Sequence, residues 1–266
     1  MPPLEHFACA LVTGASSGLG EEFVLQLAPR VDSFVLVARR EDRLNELATA
    51  VRARFPDVKV EVIAADLAEP ADCGRLIETL ATRGLSPDLL VNNAGLGDYG
   101  EFATSEWLRV ESMLRVNMEA LTRLTHAVLP AMIRANRGGV INISSLASTL
   151  PIPDFAVYAA TKAYVTSFSE ALRIELKDHG IPVLAVCPGP VKTGFGEAAK
   201  RGGGDEIPMS GAFYVSKQQV VAESLAALVA KRPRVYPGLK VAIAAAVITA
   251  LPLCAIRLMM SRRPRR

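Results

Sequence analysis

Short apolar runs alternate with longer amphipathic segments along most of the chain. The apolar runs show no regular polar positions, which is typical of strands buried on both faces of a parallel sheet. We expect such strands at residues 8–12, 33–37, 58–64, 89–91, 140–143 and 183–186.

The segments between these runs carry apolar residues at helical spacing. One face of the segment 41–55 is apolar, and the segments 70–82 and 121–135 show the same pattern. Strands and helices alternating in this way predict an α/β fold, with a Rossmann-type doubly wound parallel sheet covered by helices on both faces.

Two segments depart from this alternation. The segment 195–216 is loop-like, contains Gly202-Gly203-Gly204 and Pro208, and is long enough to suggest a functional lid. Residues 241–256 carry no charge. No linker rich in Pro, Gly or Ser divides the rest, so we predict one domain over residues 1–238 and a separate C-terminal segment over 239–266.

Composition excludes several classes of protein. The chain has 266 residues, of which 50% are hydrophobic and 21% charged, which excludes a disordered or fibrous chain. Its four cysteines form no metal-binding pattern and are interpreted as buried thiols, so no metal is expected. The first residues lack the features of a signal peptide, which predicts a cytoplasmic protein.

The positive charge is concentrated at one end. The formal net charge is +3, but the last ten residues contain five arginines and no acidic residue, so the other 256 carry −2. Without a basic face or a reading motif, nucleic acid is not expected as a partner. The charge suggests either membrane contact or a solubilising end.

The uncharged run 241–256 has three interpretations. It is shorter than the ~20 residues of a spanning helix and contains Pro252. It would pack on the body or a partner subunit, make peripheral membrane contact through residues 241–266, or span a membrane. The sequence alone does not choose between these interpretations.

A glycine-rich turn follows the first predicted strand. It reads Thr13-Gly14-Ala15-Ser16-Ser17-Gly18-Leu19-Gly20 and leads into a helix from Glu21. Such a turn brings backbone N–H groups and the positive end of a helix close to a pyrophosphate. The sequence therefore predicts a dinucleotide-binding site.

The end of the second strand bears on the choice of dinucleotide. Position 38 is Ala and position 39 is Arg, and an arginine there accommodates a 2′-phosphate, so NADP is favoured over NAD. Arg39 could instead be a solvated cation at a helix start. Asp66 and Leu67 are expected near the adenine, although Asp66 could also be a helix N-cap.

A tyrosine and a lysine four residues apart provide candidate acid/base chemistry. Tyr158 and Lys162 share one face if the segment is helical. A free phenol titrates near pH 10, and a neighbouring cation favours the phenolate, so Lys162 is expected to lower the pKa of Tyr158. The hydroxyl of Ser145 could hold a substrate oxygen within reach.

These motifs together resemble the short-chain dehydrogenase/reductase family, in its short single-domain branch. The resemblance extends from Thr13 to about Lys231. It rests on Thr13-Gly14-x-x-x-Gly18-x-Gly20, Asn92-Asn93-Ala94-Gly95, Asn117, Ser145, Tyr158-x-x-x-Lys162 and Pro188-Gly189-Pro190-Val191-Lys192-Thr193.

The resemblance implies a role for each residue of the catalytic set. Tyr158 is the general acid/base, and Lys162 lowers its pKa and binds the nicotinamide ribose. Ser145 orients the substrate oxygen, and Asn117 holds a water that links Lys162 to solvent. The implied cofactor-binding residues are Gly14, Ser16, Ser17, Gly18, Leu19, Gly20, Arg39, Asp66, Leu67, Asn93, Ala94, Gly95, Tyr158, Lys162, Pro188, Gly189, Val191 and Thr193.

The implied activity is hydride transfer between NADP(H) and a ketone/secondary-alcohol substrate. We expect the enzyme to be a homo-oligomer and its sheet to have about seven strands. Two alternatives remain open. One is a membrane-associated reductase of lipid-like ketones, such as 3-oxoacyl or steroid-like compounds. The other is a dinucleotide-sensing interaction protein without turnover.

Overall fold

Seven parallel strands form one sheet in the order β3-β2-β1-β4-β5-β6-β7. The computed structural model describes residues 6–201 and 211–261. The strands are Phe7–Thr13 (β1), Val31–Ala38 (β2), Lys59–Ala64 (β3), Leu89–Asn92 (β4), Gly139–Ile143 (β5), Val183–Val186 (β6) and Arg234–Val235 (β7). This topology confirms the predicted doubly wound sheet. The strand order reverses between β1 and β4, and ligands of such sheets bind at the carboxyl ends of the strands beside that point.

Helices cover both faces of the sheet. They are Gly18–Leu27 (α1), Glu41–Arg54 (α2), Pro70–Thr82 (α3), Trp107–Leu114 (α4), Leu121–Ala135 (α5), Ala156–Glu175 (α6), Phe195–Ala199 (α7), Lys217–Val229 (α8), Leu239–Ala250 (α9) and Leu253–Ser261 (α10). A π-helical segment, Arg115–Ala120, joins α4 to α5.

Neighbouring strand residues belong to cores on opposite faces of the sheet. Val12 lies in a core with residues of α1, α2, α8 and α9, and Leu11 lies in another with residues of α3, α5 and α6. Both faces of β1 are therefore buried, which explains why its sequence lacks polar alternation.

Three sequence-based expectations need correction. The segment predicted to be loop-like begins with the short helix α7, because Phe195 packs against Gly97 and Tyr158. Gly202-Gly203-Gly204 and Pro208 lie outside the described residues. Cys254 is exposed rather than buried. The two-residue strand β7 does not itself form an apolar run, so the pattern of apolar positions did not predict it.

The C-terminal apolar run forms two helices rather than one. α9 and α10 meet at 112°, with a short break between them. Among the described residues, no single helix has the length and apolar character to cross a membrane, although this bent pair meets both criteria jointly.

Candidate active site

The turn between β1 and α1 is shaped by close approaches of the backbone. Gly14 has a φ of +63°, a conformation that favours glycine. A Cβ on Gly20 would lie 2.3 Å from the carbonyl oxygen of Gly14, so no side chain fits at position 20. This close packing leaves the N-terminus of α1 directed at the carboxyl end of β1, where a pyrophosphate is bound in dinucleotide folds.

The loop after β4 holds this turn in place. The Nδ2 atom of Asn93 donates to the carbonyl oxygens of Thr13 and Gly14, at 2.9 and 3.1 Å. The backbone N–H groups of Asn93 and Ala94 both donate to Oγ1 of Thr13, at 3.0 Å. Asn93 and Ala94, predicted to bind the cofactor, therefore position the glycine turn.

Two consecutive arginines lie at the end of β2. Arg40, which the sequence analysis did not single out, donates from Nη2 to Oγ of Ser17 at 2.8 Å and to Oγ of Ser16 at 3.0 Å. Arg39 is exposed, with its Nη1 atom 3.9 Å from Oδ2 of Asp66. The adjacent Arg39-Arg40 pair was the signal in the sequence that could have identified Arg40.

Asp66 and Leu67 follow β3 at the same edge of the sheet. Oδ1 of Asp66 accepts a hydrogen bond from the backbone N–H of Ala68 at 3.0 Å, and the N-cap of α3 is Glu69. Asp66 therefore closes a turn rather than capping the helix. The side chain of Leu67 is buried in the core.

Tyr158, Ser145 and Lys162 come together where β5 and α6 meet. Tyr158 and Lys162 are both buried on α6, which confirms their shared helical face. The side chain of Ser145 acts to lower the pKa of Tyr158, and Oγ of Ser145 accepts the backbone N–H of Ala147 at 3.1 Å. Nζ of Lys162 donates to the carbonyl oxygen of Ile143 at 2.8 Å.

Asn117 lies in the π-helical segment, a type of distortion frequent at functional sites. Its Nδ2 atom donates to the carbonyl oxygen of Leu96 at 2.9 Å and to Oγ1 of Thr161 at 3.0 Å, and its Oδ1 atom accepts from the N–H of Leu96 at 2.8 Å. A Cβ on Gly95 would lie 3.4 Å from both Oδ1 of Asn117 and Nζ of Lys162. The four predicted catalytic residues and Gly95 therefore share one site.

Burial controls the titration of the site. Desolvation raises the pKa of Tyr158 to about 12, more than its hydrogen bond with Ser145 lowers it. Desolvation also lowers the pKa of Lys162 to about 8. Lys162 is not among the groups that shift the pKa of Tyr158 in this arrangement, in which Nζ lies 5.7 Å from the centre of the phenol ring and bonds to Ile143. That Lys162 lowers the pKa of Tyr158 stays a prediction.

The order and geometry of these residues agree with a known family. The family model of the short chain dehydrogenases matches residues 8–202. The chain belongs to the short-chain dehydrogenase family. Members of this family are oxidoreductases that act on alcohol and ketone groups.

Relatives of this dehydrogenase differ in how much of their length it covers. Very-long-chain 3-oxoacyl-CoA reductase of Mus musculus is 32% identical over 195 residues, which are 72% of this chain and 62% of the relative. Sulfoacetaldehyde reductase 2 of Chromohalobacter salexigens is 34% identical over 224 residues, or 82% of this chain and 85% of the relative. The chain thus spans less than two thirds of the mouse reductase.

A solved structure resembles the dehydrogenase over nearly all of its length. This is a short-chain dehydrogenase from Sphingobium yanoikuyae in complex with NADPH, which is 32% identical. The match covers 97% of both chains with a TM-score of 0.80.

The dehydrogenase's Pro188–Thr193 segment connects the site to the C-terminal helices. The carbonyl oxygen of Pro188 accepts from the N–H of Leu146 at 2.9 Å, next to Ser145. Thr193 lies beside the glycine turn, since a Cβ on Gly18 would be 3.4 Å from its Cγ2 atom. On the other side, Gly189 packs against Val241 of α9. Val191 pairs with Val215 in an isolated bridge.

Aromatic rings surround the dehydrogenase's tyrosine. Phe155 stacks on Tyr158 with ring centres 4.4 Å apart, and Phe195 of α7 lies 5.4 Å from it. Tyr99 meets Phe155 edge-on at 5.6 Å. Sequence patterns did not reveal this cluster, because its rings come from three distant segments.

Proposed function

We propose that this dehydrogenase uses NADPH to reduce ketones with bulky apolar substituents, with Tyr158 as the proton donor. The observation that carries the proposal is the meeting of Tyr158, Ser145 and Lys162 beside the glycine turn. Family membership supports hydride transfer, and the choice of cofactor, the role of Tyr158 and the substrate class are the proposed parts.

Tyr158 provides the proton in this reaction. The nicotinamide ring, when bound, supplies the hydride for the carbonyl carbon. The hydroxyl of Ser145 donates a hydrogen bond to the carbonyl oxygen, which holds it next to Tyr158. A tyrosine phenol, whose ordinary pKa is near 10, is protonated at neutral pH, so Tyr158 holds the proton that the reduction needs. Asn117 and Lys162 then form the path by which the proton is replaced.

Arg39 and Arg40 support NADP(H) rather than NAD(H). Both follow β2, where a 2′-phosphate would lie, and neither is an acidic residue that would bind a free 2′-hydroxyl. Arg40 already contacts the hydroxyl groups of Ser16 and Ser17 at the glycine turn. The Sphingobium relative that binds NADPH supports the same cofactor.

The aromatic cluster supports a bulky apolar substrate. Phe155 and Phe195 flank Tyr158, and Met113, Leu96 and Ile152 pack in the same cluster. Such a wall favours burial of apolar groups by about 25 cal/mol per Å². The 3-oxoacyl-CoA reductase relative supports this class, whereas the sulfoacetaldehyde reductase relative would favour a small anionic substrate.

The test of the acid is Tyr158→Phe, with Tyr164→Phe on the same helix as a matched control. We expect Tyr158→Phe to lower kcat for ketone reduction by about 10²–10⁴-fold, with NADPH binding retained in a fluorescence titration. Tyr164, whose hydroxyl hydrogen-bonds to Thr122, should be replaceable with little loss. Full activity of Tyr158→Phe would contradict the assignment, and tight NADPH binding by a wild-type chain that turns over no carbonyl would favour the dinucleotide sensor.

The cofactor test compares Arg39→Ala and Arg40→Ala with Arg43→Ala, an exposed arginine near the start of α2 that pairs with Glu46. A charge-assisted hydrogen bond contributes about 1.5–3 kcal/mol. Arg39→Ala and Arg40→Ala should therefore each weaken the binding of NADPH by about tenfold or more, as measured by calorimetry. The affinity for NADH should stay nearly unchanged. Equal losses for both dinucleotides would mean that neither arginine reads the phosphate.

The substrate test compares aryl ketones, 3-oxoacyl thioesters and sulfoacetaldehyde by kcat/KM. We expect the bulky apolar ketones to be preferred and Phe155→Ala to reduce that preference. A preference for sulfoacetaldehyde would overturn the substrate class without affecting the acid/base assignment.

A further inference from the structure

The helices α9 and α10 present an apolar surface to solvent. We call it the tail surface and define it by its large exposed side chains. These are Leu239, Ile243 and Val247 on α9, and Leu253, Leu258 and Met259 on α10. The three residues of α9 are four apart, so they form one continuous stripe along the helix.

The opposite face of the pair holds it to the body. Val241 and Ala245, also four apart, are fully buried, and Ile256 of α10 is nearly so. Val241 packs on the loop at Gly189. The orientation of α9 is therefore set by its buried face, which leaves Leu239, Ile243 and Val247 directed away from the protein. A cleft of about 410 Å³ between the pair and α6 shows that contact with the body is incomplete.

The part of the chain that forms α9, α10 and the residues after them carries charges of one sign. No acidic residue follows Glu223, whereas nine lysines and arginines do. Lys240 and Arg257 are exposed next to the apolar residues of α9 and α10. Four more arginines end the sequence beyond the described residues. An apolar stripe bordered by cations is complementary to a surface with an apolar interior and anionic headgroups.

We propose that the tail surface docks this dehydrogenase on an anionic lipid bilayer, with the side chains of α9 and α10 inserted at the level of the headgroups. The bend of 112° and the break at Pro252 suit a pair that lies in the interface. Docking would place the loop at Gly189 close to the membrane, since Val241 joins the two.

A second copy of this chain fits the surface less well. Dimers of identical chains most often pair the same patch of each subunit around a two-fold axis. That arrangement would bring two strongly basic ends together without any acid on either to neutralise them. Charge complementarity therefore favours lipid as the occupant.

The test measures sedimentation of the full chain with vesicles of phosphatidylcholine and phosphatidylglycerol, and with phosphatidylcholine alone. We expect binding to the anionic vesicles that weakens as salt rises from about 0.1 M to 1 M. The double variant Ile243→Ser/Val247→Ser should lose about tenfold or more of this binding. Arg257→Gln should lose about fivefold, and only on anionic vesicles.

Leu108→Ser is the matched control, because Leu108 is 74% exposed on α4, a helix that is not part of the tail surface. It should bind vesicles like the unchanged chain. Absence of binding to anionic vesicles would overturn the proposal, as would equal losses for Leu108→Ser and the double variant. So would a double variant that keeps vesicle binding but changes a dimer to a monomer in sedimentation velocity, which would assign the surface to a second copy.

Discussion

Polar side chains are buried around the catalytic site, whereas apolar side chains are exposed along α9 and α10. Asn117, Thr161 and Lys162 are almost completely inaccessible to solvent. Ile243 and Val247 are each 56% exposed. Both regions depart from the usual distribution of residues, and such departures are more informative than an ordinary core.

The two departures are stabilised in different ways. In the catalytic region the buried groups satisfy one another: Asn117 bonds to Leu96 and Thr161, and Lys162 bonds to Ile143. Buried polar groups are tolerated on this condition. The exposed residues of α9 make no comparable arrangement within the described part of the chain. The named polar groups of the catalytic region thus find partners within the described chain, whereas the exposed residues of the tail surface do not.

Among the buried polar groups, we expect the largest loss of stability from Asp98→Asn. The Asp98 carboxylate is almost fully buried and accepts hydrogen bonds from Nε and Nη2 of Arg201, at 3.0 and 2.7 Å, while Nε of Arg109 lies 3.4 Å away. Removing one partner of a buried pair costs about 3–5 kcal/mol, which we expect as the loss in free energy of unfolding by urea. Asp32→Asn, in an exposed pair with His6, should cost less than about 1 kcal/mol.

Asp98 also gives this stabilisation a defined pH dependence. Its hydrogen bonds with Arg201 hold the pKa of the carboxyl below the usual 3.8. For an acid with a lowered pKa, the stabilisation is present above the unfolded value and disappears as the pH falls through the folded value. The cost of Asp98→Asn should therefore be full at neutral pH and vanish in strong acid. A cost that stays constant would mean that packing, not charge, is responsible.

Lys162→Met should raise the free energy of unfolding, by slightly less than Asp98→Asn lowers it. Burial lowers the pKa of Lys162 from 10.5 to about 8, so below pH 8 the folded protein carries a buried charge at a cost. Methionine removes this cost, so the variant should be more stable by up to about 3 kcal/mol at pH 7. Between pH 8 and 10.5 the folded lysine is neutral while the unfolded one is charged, so the gain should shrink and end above pH 10.5.

Urea unfolding of Lys162→Met across that pH range, with exposed Lys177→Met as the control for loss of a charge, provides the measurement. The same variant should be inactive, since Lys162 belongs to the proposed acid/base site. Higher stability with lost activity would show that the buried charge of Lys162 destabilises the fold and is needed for catalysis. A variant that is less stable at every pH would show instead that the bond to Ile143 outweighs the cost of burial.

The sequence predicted those features that are set by neighbouring residues and missed those that depend on contacts between distant segments. The glycine turn and the Tyr158–Lys162 pair are set within a few residues, so spacing and helical periodicity were enough to predict their arrangement. Asp98 and Arg201 are 103 residues apart, and the rings of Phe155 and Phe195 meet only after α7 folds onto α6. No pattern along the chain encodes such contacts, because they arise from tertiary packing.

The C-terminal run shows the same limit within one helix. Its hydrophobicity is nearly uniform, so the sequence could not reveal which face of α9 contacts the body. Once Gly189 fixes the position of Val241, periodicity assigns Ala245 to the buried face and Val247 to the exposed one. A single tertiary contact thus decides what composition left open.

Two valines of α9 allow the buried and the exposed face of one helix to be compared directly, with the smallest of the expected changes in stability. Val241 is fully buried and Val247 is 56% exposed, yet both lie in the same helix. Val241→Ala should lower the free energy of unfolding by about 2 kcal/mol, through lost burial and a small cavity. Val247→Ala should change it by less than about 0.5 kcal/mol in solution, because an exposed methyl group contributes little there. If anionic vesicles are added, only Val247→Ala should show weaker binding. Similar losses of stability for the two variants would mean that Val247 is covered in the free protein, and the tail surface would then be an interface between copies of the chain.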